Sequence, residues 1–91
     1  MHEQELQIAY EVALQLETML TEAETAQHEI LFDFDVNREG VPFVTVTTDS
    51  EKGVRDLTRI FGHSVNYADR SGVTVDVPVI VKDQKPGCLL N

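Results

Sequence analysis

Ninety-one residues, 42% apolar and 25% charged, make one small globular domain and weigh against a disordered chain. Sixteen Asp and Glu against seven Lys and Arg leave a net charge of −9, which argues against direct nucleic-acid binding, because phosphate-backbone affinity comes mainly from Lys and Arg. A single Cys excludes an internal disulfide framework and suits a cytoplasmic setting; no signal-peptide pattern opens the chain, and no apolar run nears the roughly 20 residues that span a bilayer.

The segment from Glu3 to about Gln27 predicts one long amphipathic helix. At 100° per residue, Leu6, Ile8, Ala9, Val12, Ala13, Leu16, Met19, Leu20, Ala23 and Ala26 share one broad arc. Gln4, Gln7, Glu11, Gln15, Thr18, Glu22 and Thr25 take the other. Some 24 residues at 1.5 Å each would measure roughly 36 Å, longer than the roughly 30 Å diameter of a domain this size. The helix is therefore expected either to fray or to overhang its own core.

After His28 the period changes to 2. Ile30, Phe32, Phe34 and Val36 alternate with Leu31, Asp33 and Asp35, giving a half-buried strand with an acidic outer face. Asn37-Arg38-Glu39-Gly40 is a turn, with Gly40 placed for positive φ, and Val41 to Thr48 returns as the second strand of a hairpin. Thr48-Asp49-Ser50-Glu51 carries helix-start residues. A short second helix follows on Val54, Leu57, Ile60 and Phe61, with Gly62 at its end and Lys52, Arg55 and Arg59 lined along its other side.

Ser64 to Ala68 is a short strand, Asp69-Arg70-Ser71-Gly72 turns the chain, and Val73 to Val81 gives the cleanest alternation in the sequence. Pro78 has no N–H to donate, so this last strand is expected at a sheet edge or with a bulge. The expected fold class is α+β, a two-layer sandwich of order α-β-β-α-β-β with two helices on one face of a mostly antiparallel four-stranded sheet. Residues 1–82 form the domain and 83–91 a flexible C-terminal tail. Each half reads as a helix, then His28 or His63, then a hairpin whose turn carries Arg and Gly.

Motifs for chemistry are sparse. Asp33 and Asp35 share one strand face, which Asp76 joins if its strand lies nearby, but outward carboxylates more often solubilise an exposed sheet than hold a cation. His2, His28 and His63 are scattered, and Cys88 sits far from all three. Ser50, Ser64 and Ser71 fall in caps or turns, and there is no Gly-rich phosphate loop. The chain is therefore read as no enzyme, with no catalytic residue, metal or cofactor. Cys88-Leu89-Leu90-Asn91 has only the outline of a prenylation box, without a usual last residue.

Charge is what remains. Residues 1–37 hold nine acidic side chains and no Lys or Arg, whereas residues 38–91 hold seven of each sign. The leading expectation is a small regulatory protein that offers Glu11, Glu17, Glu22, Glu24, Glu29, Asp33 and Asp35 to a basic protein surface. One version is an inhibitor that imitates nucleic acid. The alternatives are a small-molecule-sensing or oligomerisation domain, with a homodimer built on the long helix and strand 73–81, and an accessory subunit whose acidic face only solubilises it.

Overall fold

The computed structural model describes residues 3–23 and 29–84. In chain order these form α1 (Glu3–Ala23), β1 (Ile30–Val36), β2 (Pro42–Thr48), α2 (Glu51–Phe61), β3 (Ser64–Ala68) and β4 (Thr74–Asp83). The class is α+β, and the four strands make one mixed sheet of order β1-β2-β4-β3. Its hairpins β1–β2 and β3–β4 are antiparallel, and the two hairpins join through the parallel pair β2–β4. Both helices lie on one face. A single core gathers Val12, Leu16 and Leu20 of α1, Leu57 and Phe61 of α2, Val44 and Val46 of β2, and Val77 and Val79 of β4. These side chains are buried because strand period and helix stripe bring them to the same layer.

Strand β4 is not an edge strand. It lies between β2 and β3, and Pro78 is accommodated where its two ladders change over. Residues 74–78 pair with β3, and residues 79–83 pair with β2. The Val79 N–H donates to the His63 carbonyl on the β3 side, 2.9 Å away. Successive residues alternate direction, so the Pro78 nitrogen faces β2 one position before that ladder begins at Val44–Val79. The missing donor thus falls where no ladder bond is due.

The first helix buries a narrower stripe than its composition suggests. Ala9, Val12, Ala13, Leu16 and Leu20 are buried, whereas Leu6 and Met19, at the margins of the arc, are about two-fifths exposed at 41% and 40%. Tyr10 reaches back over the edge and meets Phe34 of β1 edge-on, ring centroids 5.3 Å apart. The expected helical residues beyond Ala23, with His28, lie outside the described residues. Strand β4 runs through Asp83, past the domain end expected at 82, and the expected tail from Lys85 onward also lies outside them.

Ser50 caps α2, its hydroxyl accepting from the Gly53 N–H at 3.0 Å. Gly53 is buried, and a Cβ there would lie 2.5 Å from the Thr48 hydroxyl oxygen, so α2 can start this close to the end of β2 only with glycine. The two hairpin turns share one geometry. Asn37 N–H donates to Val41 O at 3.0 Å and Gly40 N–H to Asn37 O at 3.0 Å; Asp69 N–H donates to Val73 O at 3.0 Å and Gly72 N–H to Asp69 O at 3.1 Å. Gly40 and Gly72 take φ of 81° and 88°, the left-handed region that a side chain disfavours.

Candidate functional site

The seven carboxylates singled out by charge do not form one surface. On α1 the repeat of 3.6 separates Glu11 from Glu17 around the axis. Glu17 stands two turns beyond Tyr10, on the flank that faces β1, and is exposed. Glu11 is half-buried and faces the opposite flank, toward the β3–β4 turn. Glu29 is exposed just before β1, with its N–H 3.5 Å from an Asp49 carboxylate oxygen. The Glu22 side chain and Glu24 lie outside the described parts of the chain.

Asp33 and Asp35 point to the sheet face away from both helices, because they alternate with the half-buried Phe32 and Phe34. Their local role is visible in the hydrogen bonds. Asn37 bonds across to Val41, so counting back by twos makes 35, 33 and 31 the residues whose backbone groups face β2. The N–H groups of Phe34 and Val36 therefore point outward along the free edge of β1. Asp33 Oδ1 accepts the first at 2.9 Å and Asp35 Oδ1 the second at 2.7 Å. Each carboxylate occupies an edge donor and places a negative charge beside it, which obstructs the addition of another strand. Asp76 does not join them: β2 intervenes, and its carboxylate accepts from the Asn66 amide at 3.0 Å. Among the described residues no group of three or more His, Cys, Asp or Glu gathers as a metal site would require.

One concavity was not apparent in the sequence. A cleft of about 730 Å³ opens between the N-terminal two-thirds of α1 and the β3–β4 turn. Glu11 lies along one wall and Tyr67, Asp69 and Arg70 along the other, with Ile8 between. The Tyr67 pKa is raised above 10.0, chiefly by interaction with the Glu11 carboxylate across the cleft and then by burial. The Gln7 amide reaches the same carboxylate from one helical turn earlier, at 3.4 Å. On the turn, Asp69 Oδ1 accepts from Ser71 Oγ at 2.6 Å, Ser71 N–H at 2.8 Å and Val73 N–H at 3.1 Å. The Ser71 hydroxyl first, with the backbone donors behind it, holds the Asp69 carboxyl below its ordinary 3.8. The sequence signal for this cleft was slight: the glutamines at 4, 7 and 15, and Tyr67 more than fifty positions from Glu11.

Two further surfaces frame the site. Lys52, Arg55 and Arg59 are exposed along α2, and none of them forms an ion pair among the described residues. On the open sheet face Leu31 and Ile80 are 61% and 47% exposed. No helix among the described residues is long and apolar enough to cross a membrane. Comparison with protein-family profiles, with characterised proteins and with solved structures found no match.

Proposed function

We propose that this chain is a small non-enzymatic binding protein that presents the carboxylates of its first helix to a basic protein surface. The observation that carries the reading is the charge distribution. All nine acids of residues 1–37 lie in a stretch without one Lys or Arg. Like charges on a rigid helix raise the local concentration of a basic partner. Where that partner is a nucleic-acid enzyme, the same charges compete with phosphates for its Lys/Arg channel.

The division of the acids sharpens the experiment. Glu11 and Glu17 project from the helical layer, whereas Asp33 and Asp35 serve the β1 edge. In an affinity pull-down at low and high salt, the double variant Glu11→Gln, Glu17→Gln is expected to release the basic partner. Asp33→Asn with Asp35→Asn is expected to retain it. Capture that ignores both salt and the helix variant removes the reading.

A second reading, that the chain forms a homodimer, draws on the uncovered sheet face. Leu31 and Ile80 stand exposed there beside the half-buried Phe43, Thr45, Thr47 and Pro78, and the occupant that fits is a second copy in isologous packing. Four strands about 4.8 Å apart and seven residues long cover about 450 Å², little more than half of the roughly 800 Å² per partner of a stable interface. Such a dimer is weak and concentration-dependent. Light scattering over a concentration series tests it, with Ile80→Glu expected to hold the chain monomeric.

A further inference from the structure

We infer that the cleft between α1 and the β3–β4 turn is a binding site for a small zwitterion of the amino-acid class. The inference goes beyond the partner-binding reading and does not depend on it. Its basis is a pair of opposite charges that face one cleft without closing it. Glu11 and Arg70 both line the cleft, yet no ion pair joins them among the described residues. The cleft they share therefore presents one charge of each sign, as a ligand with an ammonium and a carboxylate requires.

Both charged groups are positioned rather than free to wander. The Gln7 amide reaches the Glu11 carboxylate from one helical turn earlier, and Tyr67 lines the cleft across from it. An ionised carboxylate has about four acceptor sites, so one donor leaves room for the hydrogens of an ammonium group. Arg70 sits at the second position of a turn fixed by three bonds to one Asp69 oxygen, so its backbone is fixed although its side chain is exposed. Its guanidinium offers up to five donors to a carboxylate. Gln4 and Gln15, exposed at either end of the helical wall, carry amides that both donate and accept, and Ile8 supplies an apolar floor. A volume of about 730 Å³ falls within the usual 300–1,000 Å³ of small-ligand sites.

The test is a titration of the full chain with the free α-amino acids one at a time, followed by amide chemical shifts. At least one amino acid is expected to give saturable shifts confined to residues 4–15 and 67–71. Glu11→Gln and Arg70→Gln are each expected to weaken that ligand by about tenfold or more, the usual worth of a charge-assisted hydrogen bond. Tyr67→Phe, which alters the wall across from Glu11 without removing either charge, is expected to cost less, about two- to fivefold. The dispersed spectrum of each variant reports whether the fold is kept. The same ligand without its carboxylate, or with its amine acetylated, is expected to bind no better than the variants. Absence of saturable shifts with every amino acid at about 10 mM, an order above the weak millimolar range, overturns the inference. So does an amine that binds as tightly as its parent amino acid. Because Arg70→Gln leaves α1 untouched, loss of the zwitterion with capture of a basic partner retained separates this site from the partner-binding surface.

Discussion

The two hairpins solve the same turn with different chemistry. In the first, the neutral Asn37 side chain accepts the N–H groups of Glu39 and Val41, both at 2.9 Å. In the second, the ionised Asp69 accepts the corresponding N–H groups of Ser71 and Val73 and adds the Ser71 hydroxyl. Each turn then needs a glycine at positive φ and places an arginine at its second position. The backbone requirement is therefore one, and the surroundings make the difference. The second turn lies against α1 and lines a cleft with it. An outward residue at a turn gains a role from what the rest of the fold brings opposite it.

The largest effect expected from breaking this likeness lies outside the turns, at a contact only the second half makes. Gly53→Ala puts a methyl 2.5 Å from the Thr48 hydroxyl and 3.1 Å from its methyl, so either the α2 start or the end of β2 must shift. Although alanine is the better helix former, overpacking here is expected to cost about 1–3 kcal/mol net. Thermal unfolding reads this as a drop of roughly 4–8 °C per kcal/mol in a domain of this size. A variant as stable as the parent would mean that the Thr48 side chain rotates away freely.

Next come the turn glycines. A Cβ at Gly72 meets nothing within 4 Å, so Gly72→Ala isolates the backbone cost of φ at 88°, about 1–2 kcal/mol. Gly40→Ala, at φ 81°, is expected to cost a similar amount. Denaturant midpoints of the two variants compare the turns directly. A large inequality would show that one hairpin contributes less to the cooperative fold than the other.

Much of the architecture could be read from periodicity. Alternation in Ile30 to Val36 and Thr74 to Asp83, the Ser50 start and Gly62 end of α2, and both Gly turns are local properties, and local sequence determines them. The position of β4 is not local. Pro78 normally marks an edge, and only the pairing of each half of the strand with a different neighbour lets it sit centrally. The spatial division of the acidic segment is partly non-local too. A helix period of 3.6 followed by a strand period of 2 sends Glu11, Glu17 and Asp33 to different sides. The cleft brings together Tyr67 and Glu11, residues that no spacing rule connects.

The smallest effect is the one that distinguishes the turns most cleanly, their response to acid. Asp69 has a folded-state pKa below 3.8, because the Ser71 hydroxyl and nearby backbone N–H groups favour its charged form. Its folded pKa is depressed, so its contribution to stability is fully present above the unfolded value and is lost as pH falls through the folded one. The window therefore opens below pH 3.8 and not near neutrality. Asn37 has no proton to gain, so its turn lacks this step. Amide shifts of Ser71 and Val73, followed from pH 5 downward, are expected to take an Asp69 step below pH 3.8 that the Val41 amide lacks. Asp69→Asn gives the second turn the chemistry of the first and is expected to abolish the difference while keeping both turns formed. If the two turns move together in the parent, acid is acting on the whole fold, and the ionised Asp69 adds nothing that a neutral amide does not.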